Sequence, residues 1–443
     1  MNRYILAGTG VAGVAAAEAI RKQDPGGSII LIGDEPSGYY SRPGLAYYLT
    51  GEIPESQLYP MSEKDFRDLK VKRMVARVTR INPQEHTISL NSGALLPYDR
   101  LLIATGASAT PLKVKGSQAE GVVKLDNLED TRRIIHLAKR ARSAVVVGGG
   151  ITALELVEGL VARKIKTVYL LRGDRYWSNV LDEKESVIVE HRLQEEGVEV
   201  YHQTELDEVL HDKRGRLQGV RTKDGRLLRC DILAAAIGVQ PRKELAVAAG
   251  LKTERGLLVD EYLSTSHPDI FAAGDVAQVF DPLTGKTVLD SLWGPARDQG
   301  TAAGNNMTGV CAPYFKNVPF NVTRLARLTT TIIGRVGGGE DQDLLGIARG
   351  DSETWHQLPD AIVAQADFDI NRLRVLVGRQ SLIGAIVIGN QSLSRPLHHL
   401  ISRGIDISPI RDRLLHPTAP IADTIAEFWS NLTSPLQHAA QQP

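Results

Sequence analysis

An α/β protein is what the sequence predicts: two Rossmann-like units, the second inserted in the first, followed by a small α+β C-terminal domain. Three observations carry this. An apolar run enters a G-x-G-x-x-G turn at residues 5–13, and the same pattern returns 140 residues later, from Gly8 to Gly148. The composition is globular, 42% hydrophobic with 41 glycines and only 5% aromatics, which suits many tight strand–helix turns. Beyond residue 315 the pattern changes to an apolar hairpin, residues 373–388, and two short helical segments, 395–402 and 410–415.

Bulk numbers exclude several classes. A chain of 443 residues suggests two to four domains at roughly 100–200 residues each. Lys+Arg and Asp+Glu are equal at 52, so the net charge is zero and no basic excess marks a dedicated nucleic-acid binder. Cys230 and Cys311 form neither a C-x-x-C nor a Cys/His cluster, which argues against a disulfide scaffold, a zinc site or iron–sulfur ligation. Low cysteine usage fits a reducing cytoplasm. No uncharged apolar run reaches about 18 residues, so no integral membrane segment is expected. The basic start and small residues of 3–17 imitate a secretory signal. Gly8, Gly10 and Gly13 would weaken such a helix by about 1 kcal/mol each, and a strand–turn–helix reading is preferred.

In the first unit, Tyr4 to Ala7 is a buried strand and Val11 to Ile20 an alanine-rich helix. Gly8 makes the tight turn, Gly10 lets the backbone approach a pyrophosphate, and Gly13 lets helix pack on strand. The helix N-terminus offers unpaired N–H groups and partial positive charge to the phosphates. Ser28 to Ile32 is the next strand. Glu35, 22 residues after Gly13, can accept both hydroxyls of an adenosine ribose, whereas neighbouring Asp34 reads as a solvated turn residue.

The second unit repeats the plan. Ala144 to Val147 is the strand, Gly148, Gly150 and Ala153 the fingerprint, and the helix runs to about Ala162. Its second strand, Thr167 to Leu171, ends not in an acid but in Arg172, with Arg175 close behind. A cation there accommodates a 2′-phosphate, which favours NADP or NADPH over NAD or NADH. The alternative is that both arginines are surface charges beside Asp174 and Asp182.

With these two units, Ala104-Thr105-Gly106 and the run Thr265-Ser266-His267-Pro268-Asp269-Ile270-Phe271-Ala272-Ala273-Gly274-Asp275, the chain resembles the FAD-dependent pyridine-nucleotide oxidoreductases over roughly residues 3–415. Within them it is most similar to rubredoxin and ferredoxin reductases and to the flavin module of NADH-dependent nitrite reductases. The resemblance implies that Asp275 holds the ribityl chain of FAD and that a following helix points at the flavin. A helix cap is the plain alternative for Asp275. It implies further that Thr105 and Gly106 lie beside the adenosine half, that Gly238 lets backbone lie near the nicotinamide cofactor, and that Arg42 of the Tyr40-Ser41-Arg42-Pro43-Gly44-Leu45 segment lies near the pyrophosphate. Trp293, Ala296 and Gln299-Gly300 resemble the segment against the isoalloxazine, with a core role as the alternative for Trp293. Glu155 resembles the family glutamate near the nicotinamide, or is a first-turn helix acid favoured by the dipole.

Departures matter equally. No sulfur stands near Pro43, so thiolate and mixed-disulfide chemistry have no residue to perform them. Tyr47 stands where the ferredoxin-reductase-like branch often places Lys. The resulting partition is an FAD-binding domain, 1–110 and 243–315, an NAD(P)-binding domain, 111–242, inserted in it, a C-terminal α+β domain, 316–415, and a tail, 416–443, with one short helix. Ile421, Ile425, Phe428, Trp429 and Leu432 of that tail form an apolar stripe suited to core cover or a subunit contact, not to a membrane surface, which prefers Lys and Arg on the polar face. His398-His399 reads as solvated rather than metal-ligating, and Gly337-Gly338-Gly339 as a hairpin turn. The implied chemistry is hydride transfer from a nicotinamide dinucleotide to FAD, then electrons to a redox protein or partner subunit. No side chain is required as nucleophile or acid. A quinone or small-molecule reductase, or a flavin-bearing redox-sensing module, are the other readings.

Overall fold

The computed structural model describes residues 1–282, 285–336, 371–416 and 420–439, with side chains to residue 433. The glycine run 337–339 and the acids at 340 and 341 lie outside the described residues. The chain packs as two compact units. One holds Met1–Tyr176 and His191–Lys316; the other holds Trp177–Glu190 and the described parts of Asn317–Glu340 and Leu358–Pro443.

The first unit contains two parallel five-stranded sheets. The first sheet runs Ile270–Ala272, Arg100–Ile103, Arg3–Ala7, Ser28–Gly33, Val71–Val75. Ile5 pairs with Ile30 on one side and Leu101 on the other, and Ile270 pairs with Leu101. Strands covered on both faces read as unbroken apolar runs, and Tyr4, Ile5 and Leu6 are all buried. The second sheet runs Glu199–Tyr201, Lys166–Leu170, Ser143–Val147, Ile232–Ala235, Val122–Val123. Because Ile270–Ala272 returns to the first sheet after the second is complete, one Rossmann-like unit is inserted in the other, as expected. The chain crosses between them on an antiparallel ribbon, Ala107–Ala109 against Val239–Pro241.

Small residues decide how the first unit closes. Helix Trp293–Met307 lies along helix Val11–Gln23 with glycines at the crossing. A Cβ on Gly300 would sit 2.2 Å from the Ala12 carbonyl oxygen, and one on Gly304 would sit 2.5 Å from that of Ala16. Only glycine permits that approach.

The second unit is an antiparallel sheet in the order Phe320–Leu325, Leu328–Gly334, Leu382–Ile388, Arg372–Val377. Its last two strands are the expected hairpin. Helices Ser394–Ser402, Ser408–Leu415 and Ile421–Ala439 supply the core on one face, where Ile333, Ala385 and Val387 meet Leu397, Leu400, Ile410 and Ile425. In the tail helix Ile425 is fully buried, with Ile421, Phe428 and Trp429 packed on the same core. Those four residues of the stripe are core cover, while Leu432 is exposed. Of the histidine pair, His399 is exposed, as expected, and meets Trp429 edge-on at 5.0 Å, whereas His398 is half-buried, its ring centre 4.6 Å from that of Phe320.

Candidate functional site

Both glycine turns form at the C-terminal ends of central parallel strands, where open α/β sheets bind ligands. Gly8 has φ +137°, and a Cβ there would sit 1.9 Å from the Ala104 carbonyl oxygen. Gly13 faces the Gly8 carbonyl, with 2.0 Å for a Cβ. Gly10 differs from both. Its φ of −76° suits any residue, and a Cβ on it would meet no atom within 4 Å. It is the N-cap of Val11–Gln23 and supplies no side-chain cap, so the N–H groups of the first turn face open space. That cradle fits a pyrophosphate. The second turn matches it. Gly148 has φ +144° and 2.1 Å to the Ala236 carbonyl oxygen, Ala153 packs beneath it, and Gly150 is an uncapped N-cap of Ile151–Ala162.

Glu35 emerges after the strand Ser28–Gly33, as expected of a ribose reader, but it is not alone. The Tyr40 hydroxyl donates to its Oε2 at 2.5 Å, and Arg42 ion-pairs with Oε1. Tyr40 in turn accepts from the Leu128 N–H at 3.0 Å, and Arg42 donates to the Asp126 carbonyl at 2.6 Å. Each carboxylate oxygen keeps a further lone pair for a ribose hydroxyl. Asp34 is exposed and pairs with Arg77 at 3.0 Å, in keeping with a surface turn. Asp126, which no sequence pattern singled out, is buried, which alone would raise its pKa. Lys124, Arg242 and Arg42 outweigh burial and hold the carboxyl below its usual range.

Thr105 and Gly106 lead into the crossing ribbon. The Thr105 hydroxyl donates to the Arg242 carbonyl at 2.9 Å, Gly106 has φ +68°, and across the ribbon Gly238 has φ +105° and is exposed. Asp275 is a half-buried turn residue, and it is followed by the strand Ala277–Asp281. It therefore caps no helix, and the next helix begins only at Trp293. The turn and that helix are joined directly: the Gly274 N–H donates to the buried Gln299 Oε1 at 2.8 Å. Trp293 is half-buried at the start of the helix, with Arg297 over its ring at 5.7 Å. Beside this end lies a polar group that sequence reasoning missed: buried Asp281, Asp290 and Ser291 with half-buried Tyr314 and Lys316. Burial, opposed by Lys316 and reinforced by Asp281, Asp275 and Asp298, pushes the Asp290 carboxyl up to about 6.

In the inserted unit Glu155 is buried in the second turn of its helix, whose first turn holds no acid, so the dipole alternative fails. It lies in the field of the fully buried Tyr176, whose phenol is pushed well up by burial and by Tyr169, Glu158 and Glu155. Arg172 follows the strand Lys166–Leu170, is exposed, and makes no ion pair among the described residues. Arg175 is half-buried and pairs with Asp174 at 3.1 Å. Neither thiol stands in the Tyr40–Leu45 segment: Cys311 is exposed, and burial pushes Cys230 to about 12.

The family described as pyridine nucleotide-disulphide oxidoreductase matches residues 2–300. The ferredoxin–NAD(+) reductase component of the 3-phenylpropionate/cinnamic acid dioxygenase of Photorhabdus laumondii is 29% identical over 402 residues, covering 90% of this chain and 96% of that protein. The corresponding component of the biphenyl dioxygenase system of Paraburkholderia xenovorans is 31% identical over 362 residues, covering 80% and 85%. Among solved structures, a chain of the covalent putidaredoxin reductase–putidaredoxin complex shares the fold, with a TM-score of 0.81, 23% identity and coverage of 96% and 98%.

Proposed function

Because the chain belongs to the pyridine nucleotide-disulphide oxidoreductase family, we propose that it is a flavoprotein reductase that takes hydride from a nicotinamide dinucleotide and passes electrons to a small redox protein. The observation that carries this is the pair of uncapped glycine turns, each on a central parallel strand of its own sheet. Bound FAD supplies the hydride acceptance and onward electron transfer that no side chain here can perform. The protein's part is placement. The Gly8–Gly13 turn offers N–H groups to a pyrophosphate, and Glu35, held by Arg42 and Tyr40, offers its remaining lone pairs to a ribose. Glu155 stands at the second turn, where the nicotinamide dinucleotide would lie. The lack of a usable thiol supports a direct route to the acceptor. Relatives named as ferredoxin–NAD(+) reductase components support a ferredoxin-like acceptor, and the two unpaired cysteines suit a reducing cytoplasm.

Rapid mixing tests the reading. Stoichiometric NADPH or NADH should bleach the flavin within seconds, and a ferredoxin or rubredoxin should reoxidise it faster than a quinone. A flavin unmoved over minutes would sink the enzyme reading, and reoxidation by quinone alone would replace the acceptor.

The finer proposal is a preference for NADPH, supported by Arg172, which is exposed and makes no ion pair among the described residues. Arg172→Ala should raise the KM for NADPH about 10- to 100-fold, the worth of one charge-assisted hydrogen bond, and leave that for NADH within about twofold. Equal effects on both nucleotides would refute it.

A further inference from the structure

One side of the helix Ile151–Ala162 carries three residues spaced by four: Glu155, Gly159 and, as its C-cap, Arg163. Helical residues four apart lie one above another, so the three line a single face. The helix Gly44–Thr50 packs there, and the two helices belong to different Rossmann-like halves of one compact unit. The contact at its middle is close. A Cβ on Gly159 would stand 2.4 Å from Leu49 Cγ and 2.5 Å from its Cδ2, and Leu49 is fully buried. Glycine weakens a helix interior relative to alanine, and here it makes room for the neighbour's side chain. Arg163 secures the same neighbour. Its Nε donates to the Leu49 carbonyl at 2.8 Å, and its Nη2 reaches the Tyr48 carbonyl at 3.5 Å. Both carbonyls belong to the last turn of Gly44–Thr50, where intrahelical partners run out.

Short paths lead from this contact to both binding turns. Helix Gly44–Thr50 continues directly from the Tyr40–Leu45 segment, whose Tyr40 and Arg42 hold Glu35. Helix Ile151–Ala162 opens at the second glycine turn and carries buried Glu155 one turn before Gly159. The antiparallel ribbon and the bond from Arg42 to the Asp126 carbonyl also tie the halves together. The Gly159 contact does so through the helix that carries Glu155, so it governs how far that residue stands from the FAD half. Close-packed interiors do not absorb an added methyl group without movement. A Cβ at 2.4 Å must push the helices apart or turn Leu49 out of its seat.

We propose that Gly159 and Arg163 are positioning residues for hydride transfer: by seating Leu49 and capping the helix Gly44–Thr50, they set the spacing between Glu155 and the FAD half. This rests on the reading that one hydride, two electrons with a proton, passes from the dihydronicotinamide to FAD, oxidising the first and reducing the second. Rapid mixing of the FAD-loaded protein with NADPH or NADH over a range of concentrations separates spacing from binding. Gly159→Ala should lower the limiting rate of bleaching about 10- to 100-fold, the scale of a misplacement of about 1 Å, with nucleotide dissociation constant and flavin content changed less than about twofold. Adding Leu49→Ala removes the Cγ and Cδ2 that stand in the way and should bring the rate back to within about threefold of wild type. A second readout needs no turnover. In dithionite-reduced protein, the long-wavelength absorbance of nicotinamide stacked on flavin, read on adding NADP or NAD, should fall in Gly159→Ala and return in the double variant. Arg163→Met, which keeps the stem and loses both donors, should move both readouts the same way if Gly159→Ala fails to fold. Unchanged limiting rates, a rise in dissociation constant that matches the loss of rate, or a double variant no faster than Gly159→Ala overturns the inference. Wild type is the reference. If it bleaches and the variants bleach as fast, the positioning role alone is wrong. If neither nucleotide bleaches it, the reading of the reaction is wrong and the inference falls with it.

Discussion

Gly10→Asp should yield a folded, colourless protein. The reason lies in the contrast between neighbouring glycines. At Gly8 the positive φ and the 1.9 Å approach to the Ala104 carbonyl mean that any side chain disturbs the fold itself. At Gly10 neither obstacle exists: φ is −76° and no atom stands within 4 Å of a new Cβ. Aspartate is, moreover, a favoured N-cap, so the helix Val11–Gln23 should gain from the change and not lose. What it destroys is the reserve of unpaired N–H groups. The new carboxylate would accept the first-turn donors that a pyrophosphate needs and would set a like charge against it, at a cost of several kcal/mol. Each 1.4 kcal/mol is tenfold in affinity, so FAD should bind at least about 100-fold more weakly. Flavin absorbance per mole of purified protein gives the answer, read beside a thermal melt matched to flavin-stripped wild type. A yellow Gly10→Asp protein would remove the first glycine turn from the cofactor site.

That contrast also marks what a sequence discloses. Gly8, Gly13 and Gly148 were legible because backbone approaches within van der Waals range leave no residue but glycine, and Gly10 because it completes their spacing. The sheets were legible because parallel strands covered on both faces must be apolar throughout. Distance along the chain hides the rest. Glu35 could be placed by its spacing from Gly13, but nothing local announces that Tyr40 and Arg42 hold its carboxylate or that Arg42 also donates to the Asp126 carbonyl. The helix that follows Asp275 begins only at Trp293, after the strands Ala277–Asp281 and Lys286–Leu289, and nothing local announces the delay. Arg172 at the end of its strand is plain in the sequence, whereas the pairing of Asp182 and Glu185 with Arg372 and Arg374 depends on residues far away in it, and a reciprocal helix cap looks the same whether its acids face water or guanidinium.

Asp290→Asn should stabilise the protein at neutral pH, and by more than most substitutions can. Asp290 sits between the strand Lys286–Leu289 and the helix that starts at Trp293, 8% exposed, with Lys316 as its opposing cation and Asp281, Asp275 and Asp298 as like charges. Tyr314 lies in the same field. Its carboxyl titrates at about 6, against an ordinary 3.8. A carboxyl raised on folding binds its proton more tightly in the native state, so stability is greatest below about pH 4, falls as the pH climbs to about 6, and stays at the lower level above that. At 1.36 kcal/mol per unit, the shift is worth about 2–3 kcal/mol. Asparagine has the same shape and no charge to desolvate, and it escapes that loss. The variant should therefore exceed wild type by about 2 kcal/mol near pH 7.5 and converge with it near pH 4, in denaturant melts of flavin-stripped protein across that range. Parallel curves for the two proteins would mean that Asp290 is ionised and fully compensated by Lys316. A chain that keeps so costly an acid at the open end of its first sheet, beside the turn of Asp275 and the helix that Gln299 ties to it, has accepted a stability loss where strain is expected to be functional.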